Sequence, residues 1–224
     1  MDQIQPLIVA IKNNDVAQAN ALVNADSARI MAKAPNGVSL ILLATYYGRK
    51  EIVATWLAHA PTLDLYEACA VGVIKRVKEI IAAHPERIDT FAPDGFFPLG
   101  LAAFFGHAAI AEYLLAHGAD PNLAANNPQR VTALHAATAS QSIAIAKMLI
   151  ARGGDVNAKQ INSFTPLHNA AQNGQIEMIE LLLANGANIN AQSDDGKTPL
   201  AFALESKRDD AAIFLRERGA IYRG

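Results

Sequence analysis

Residues 162–190 carry two apolar patterns in succession. Leu167, Ala170 and Ala171 form one side of a short helix, and Ile176, Ile179, Leu182 and Leu183 mark a second helix by their spacing. Thr165 is a good N-cap, and Pro166 stands at the first helical position, where a missing N–H costs nothing. Gly174 ends the first helix in the left-handed conformation that glycine tolerates best. Gly186 ends the second, and Asn188-Ile189-Asn190 leads into a polar turn. The alanines let neighbouring helices approach closely. The predicted unit is a helix pair with a projecting finger, apolar on both flanks. Alone it cannot bury those flanks, so copies of it must stack.

The chain holds such copies. Thr132-Ala133-Leu134-His135, Thr165-Pro166-Leu167-His168 and Thr198-Pro199-Leu200 recur at equal intervals. Phe97-Pro98-Leu99 takes the same place about one interval before Thr132, and Leu63-Asp64-Leu65 lies one interval before that. Ser39-Leu40-Ile41 precedes it by a shorter step, and Gln5-Pro6-Leu7 stands a full step ahead of Ser39. Seven units are expected, starting near 5, 39, 63, 97, 132, 165 and 198. A second interval, equal to one long unit plus one short one, relates Ala34-Pro35-Asn36-Gly37 to Ala92-Pro93-Asp94-Gly95 and Leu57-Ala58-His59 to Leu115-Ala116-His117. The N-terminal part thus reads as a duplicated pair of units. Asn36-Gly37, Asp94-Gly95 and Asp195-Gly196 are strong tight-turn signals for the finger tips, whereas Arg130 and Ser163 replace the glycine in two units. Ala60-Pro61-Thr62-Leu63 is too short to extend and return, which predicts a notch in the row of fingers. Lys12, Asn13, Asn14 and Asp15 at one end, and Lys207, Arg208, Asp209, Asp210, Arg216, Glu217 and Arg218 at the other, suit polar end caps. Residues 221–224 are expected to fray.

A repeat of roughly 33 residues that opens on Thr-Pro-Leu-His resembles the ankyrin repeat. The resemblance covers nearly the whole chain and is most specific over residues 91–220. It implies an all-α ankyrin repeat solenoid of about seven helix-turn-helix units in a single domain, 1–224. It also implies a scaffold or regulator that is not an enzyme and holds a partner protein in a concave groove and at its finger tips. The turn Phe104-Phe105-Gly106-His107, with Asp94-Gly95-Phe96 nearby, is similar to turns in ankyrin proteins common in bacteria.

Composition narrows the picture. The 224 residues are 51% hydrophobic, with no long polar or Pro/Gly-rich linker, which favours one continuous body. A net charge of −2 gives no general pull toward nucleic acid or anionic lipid. The single cysteine, Cys69, cannot form a disulfide within the chain and suits a reducing compartment. The start, Met1-Asp2-Gln3-Ile4-Gln5-Pro6, has no basic region, the apolar run Leu7–Ile11 is too short for a signal sequence, and no stretch approaches a membrane span. A cytoplasmic location is the expectation.

Candidate chemistry is sparse. In ankyrin repeats the histidine of the Thr-Pro-Leu-His turn bonds the threonine hydroxyl and nearby backbone, so the resemblance gives His135 and His168 a structural role. His59, His84, His107 and His117 lie near helix ends. No histidine pair has metal-site spacing, and one cysteine supports no thiolate cluster. Cys69 falls where other units have the second of two alanines, such as Ala103 and Ala171, a small buried position. Asp194-Asp195 and Asp209-Asp210 are adjacent carboxylates of the solvated kind, not a pair held across a cleft. No catalytic residue, cofactor or metal is expected.

The aromatic residues carry the sharper expectation. Tyr46-Tyr47 and Phe104-Phe105 precede the glycine that ends a first helix, and Val38, Phe96, Phe164 and Lys197 follow a turn glycine or its replacement. In ankyrin proteins these positions face the groove. Aromatic side chains are enriched at binding hot spots. For the double aromatics two readings stand: they face the groove, or they lie down over the shortened second and third units. The residues expected to meet the partner are Val38, Tyr46, Tyr47, Phe96, Phe104, Phe105, Ile161, Phe164, Gln172, Asn173, Asp194, Asp195 and Lys197. The alternative is weak self-association through the aromatic patch. Trp56 aligns with Leu114 and Leu182 and belongs to the core.

Overall fold

The computed structural model describes residues 4–59 and 61–223. Among them fourteen α-helices run in chain order: α1 Gln5–Asn13, α2 Val16–Ala25, α3 Leu40–Tyr46, α4 Lys50–Leu57, α5 Leu65–Val71, α6 Ile74–Ala83, α7 Pro98–Phe104, α8 Ala108–Ala116, α9 Ala133–Ala139, α10 Ile143–Ala151, α11 Pro166–Asn173, α12 Ile176–Ala184, α13 Pro199–Glu205 and α14 Asp209–Glu217. They pair as the pattern predicts, each odd-numbered helix turning into the even-numbered one after it.

The turn inside each pair has one cause. Asn14, Gly48, Gly72, Gly106, Gln141, Gly174 and Lys207 all take positive φ, from 55° to 84°. A single left-handed residue reverses the chain and supplies the amide that closes the helix end. Glycine does this without steric cost, and asparagine, glutamine and lysine stand in for it in three pairs. These residues recur with the same long and short steps as the helix starts, so the register of seven pairs is written in the backbone as well as in the sequence.

The chain divides into two compact units, one ending at Pro98 and the other starting at Leu99. In the N-terminal unit α1, α3 and α5 stack in turn and α2 lies against α4. Leu7, Ile11, Leu40, Ile41, Ile52, Trp56 and Leu65 are fully buried between them. In the C-terminal unit α9, α11 and α13 form one layer and α8, α10, α12 and α14 the other. Leu114, Leu149, Leu182 and Leu215 fill equivalent places and are fully buried. Trp56 is a core residue, as its register requires. Burying such a side chain contributes about 1.5–3 kcal/mol.

Three asparagines stitch the second helices of the C-terminal unit. Asn122 Nδ2 donates to the Gly153 carbonyl at 2.9 Å, and Asn122 Oδ1 accepts from the Asp155 amide at 2.7 Å. Asn157 repeats this with Gly186 and Asn188, at 3.0 and 2.8 Å. Asn190 Oδ1 then accepts from the Ile221 amide at 2.7 Å. Thr198 Oγ1 donates to the Ile221 carbonyl at 2.8 Å, and the Thr198 amide donates to Arg223 at 3.1 Å. Residues 221–223 are therefore tied down and do not fray as expected. Gly224, also expected to fray, and Met1 to Gln3 of the start lie outside the described residues.

The third pair departs from its register. Its helix begins at Leu65, later than the alignment of Leu63 with threonine predicts, because Asp64 takes the cap. The Asp64 carboxylate accepts the Glu67 amide at 2.8 Å, and Glu67 Oε2 accepts the Asp64 amide at 2.7 Å. Counted back from Gly72, Tyr66 stands in the histidine's place. Cys69 is fully buried at its alanine position, and burial pushes its thiol up, so it is no nucleophile.

Residues 61–64 run on without a turn, so this pair has no finger; Ala60 of the same segment lies outside the described residues. The notch does not stay open, however. The Ala34 amide closes one finger on the Val38 carbonyl and the Ala92 amide closes the next on Phe96, each at 2.7 Å. A Cβ built on Gly37 would stand 3.0 Å from Cβ of Pro93. The finger at 92–96 rests on the finger at 34–38.

Candidate protein-binding surface

The expected contact residues do not share one fate. In the N-terminal unit Val38 is only 2% exposed. Buried, it offers no surface to a partner, which corrects its assignment from register alone. Tyr46 is half-buried: its hydroxyl donates to Asp94 Oδ2 at 2.7 Å and its ring leans on Phe96, 6.1 Å between centroids. Desolvation, then the Asp94 carboxylate, push this phenol far above its ordinary pKa. Tyr47 is 42% exposed, with the Arg49 guanidinium 5.7 Å from its ring. Arg49 in turn donates to the Ile11 and Lys12 carbonyls at the end of α1.

In the C-terminal unit the pair Phe104 and Phe105 meets edge to face at 5.1 Å. Phe104 is 49% exposed and Phe105 half-buried. Burial is thus exchanged between the two double aromatics: the second residue is the outer one at 46–47, the first at 104–105. In each pair one ring is exposed and the other half-buried.

The fingers of this unit are joined through backbone. The Ile161 amide donates to Gln129 at 2.9 Å and the Asp194 amide to Asn162 at 3.0 Å. Arg130 and Ser163, which lack the glycine's freedom, nonetheless take φ of 52° and 56°, and beside Ser163 the residue Asn162 is left-handed too, at 61°. Ile161 is exposed at its tip, and Gln172, Asn173, Asp194 and Asp195 are exposed as well. Lys197 is held: its Nζ lies 2.8 Å from Glu205 Oε1 and 3.8 Å from Asp195. The Glu205 bond raises its pKa, and the Ser193 hydroxyl at 2.5 Å lowers that of Asp195.

Phe164 packs more than it projects. Its ring stacks on His168 at 4.9 Å and meets Phe202 edge-on at 4.6 Å. Phe202 escaped sequence reasoning. The signal was available, since it stands one repeat interval after Asn169, a polar position, and Lys197 Nζ lies 5.7 Å from its ring.

Beneath the fingers at 160–164 and 193–197 runs a threonine–histidine relay. Thr132 Oγ1 and His135 Nδ1 are 2.8 Å apart, and His135 Nε2 meets the Phe164 carbonyl at 3.1 Å. His168 does the same with Thr165 and with the Lys197 carbonyl, at 2.9 and 3.2 Å. Each buried ring joins a helix start to the next finger. Family models described as ankyrin repeats match residues 65–160, as three copies, and residues 149–203, as many copies. The chain belongs to the ankyrin repeat family. Its fold is the all-α repeat class of that family, and ankyrin repeats are typically non-enzymatic modules that mediate protein–protein interaction.

Among curated ankyrin proteins, the sex-determining protein fem-1 of Caenorhabditis elegans is 37% identical over 115 residues, 46% of this chain and 18% of that protein. The ankyrin repeat and SAM domain-containing protein 6 of Rattus norvegicus is 32% identical over 102 residues, 46% of this chain and 11% of that protein. The chain spans less than a fifth of the length of either relative. Among the described residues no helix is long and apolar enough to cross a membrane, and no group of three His, Cys, Asp or Glu is placed to hold a metal ion.

Proposed function

We propose that this ankyrin chain is a cytoplasmic scaffold or regulator that binds a partner protein, not nucleic acid or membrane, and performs no chemistry of its own. Its contact residues are Tyr47 and Phe96 in the N-terminal unit and Phe104, Ile161, Gln172, Asn173, Asp194, Asp195 and Lys197 in the C-terminal unit. One observation carries the reading: Tyr47, Phe104 and Ile161, large apolar side chains at finger and inner-helix positions, are 42%, 49% and 45% exposed. Such side chains cost solubility unless a partner covers them.

The test uses the partner that co-purifies from the native cell. Tyr47→Ala with Phe104→Ala is expected to lower its affinity at least about tenfold, as two lost hot-spot contacts do, while the melting temperature holds. Affinity equal to wild type would refute the assignment. Sedimentation from about 1 to 100 µM separates self-association: a mass that rises and is returned to monomer by the same two substitutions would assign these side chains to contacts with a second copy.

A further inference from the structure

The fingers at 160–164 and 193–197 are set by the pair before them. Each takes a backbone bond from a neighbouring finger and a ring nitrogen from a histidine, as described above. The finger at 92–96 follows a pair with no finger and no histidine on its first helix. It is held differently. Tyr66, in the histidine's place on α5, donates its hydroxyl to the Phe91 carbonyl at 2.8 Å, and the same oxygen lies 2.9 Å from Thr90 Oγ1. Tyr46, on α3, donates to Asp94 Oδ2 at 2.7 Å. The other carboxylate oxygen of Asp94 accepts the Phe96 amide at 3.3 Å, so one side chain links the turn to the helix. Pro93 rests against Gly37 on the far side.

We propose that Tyr46 and Tyr66 are positioning residues that latch the finger at 90–97 across the gap left by the missing one, and so fix where Phe96 stands. Tyr66 holds the base and Tyr46 the tip. The two act on different groups and are separable. Both rings are half-buried and keep their packing when only the oxygen is removed. The latch does not depend on a partner, and its test uses none.

Hydrogen exchange at single amides in the free protein reads the latch. Each lost hydroxyl is worth a typical hydrogen bond, so Y46F/Y66F is expected to speed exchange at Ala92, Gly95 and Phe96 by roughly tenfold. Amides of α3 and α5 are expected to keep their wild-type rates. Y46F alone is expected to act at Gly95 and Phe96, and Y66F alone nearer the base. Asp94→Asn is the second arm: it keeps an oxygen for the Phe96 amide but removes the charged acceptor, and it is expected to speed Phe96 without touching a core ring. Wild-type rates at 92–96 in the double variant, or at Phe96 in D94N, would overturn the proposal. Equal acceleration throughout α3 and α5 would overturn it too, since the hydroxyls would then be holding the whole unit.

Discussion

His168 Nδ1 lies 2.9 Å from the Thr165 hydroxyl and 3.2 Å from the Thr165 amide, so that nitrogen accepts and Nε2 carries the proton toward Lys197. Protonating the ring would set an N–H against an amide N–H. Burial acts in the same direction. It pushes His135 down to about 4 and also lowers His168.

Both rings are therefore neutral in the fold and protonate in the unfolded chain near the ordinary histidine value of 6.5. The folded-state pKa is depressed, so the contribution to stability is complete above pH 6.5 and is lost as pH falls toward the folded value. Between about pH 6.5 and pH 4 His135 is expected to remove up to about 1.4 kcal/mol per pH unit, and His168, lowered as well, adds to the loss below pH 6.5. Urea melts at pH 7.5, 6 and 5 measure this. His135→Gln with His168→Gln is expected to be less stable at pH 7.5 yet flatter across that window; an equally steep loss in the variant would place the titration elsewhere.

Ser163 and Arg130 occupy a left-handed turn that Gly37, Gly95 and Gly196 fill elsewhere. Relief of that backbone strain outweighs the added freedom of the unfolded chain. Ser163→Gly and Arg130→Gly are each expected to stabilise by about 0.5–1 kcal/mol. Thermal melts of the single variants check it, and a drop in melting temperature would mean that the side chains hold the fingers.

Asn157 makes two bonds to the next pair, to the Gly186 carbonyl and from the Asn188 amide. Both are solvent-exposed, so their net worth is modest. Asn157→Ala is expected to cost about 1–2 kcal/mol, seen as a lower urea midpoint, and to speed exchange at the Asn188 amide more than at Asn122 or Asn190.

Much of this architecture was legible because it repeats. Thr132, Thr165 and Thr198 fixed the helix starts at a constant interval, and the fully buried Leu182, Leu114 and Trp56 followed from one alignment. The surface was less legible because its geometry comes from contacts outside the repeat. Nothing near Tyr46 in sequence announces Asp94, far along the chain, yet the two are bonded and Tyr46 is the half-buried one of two adjacent tyrosines. Val38 shares a register position with Phe96 and Lys197, but it is buried while they are half-buried. Asn122, Asn157 and Asn190 recur at nearly the interval of the threonines and were open to the same periodic argument.

Trp56 is the chain's one tryptophan, and it sits fully buried in the N-terminal unit. Its emission is thus a built-in lamp for half of the molecule. Tryptophan fluorescence reports on the packing among α1 to α6, where Trp56 lies, while circular dichroism sums every helix. A denaturation followed by both lights separates the two halves without any label being added.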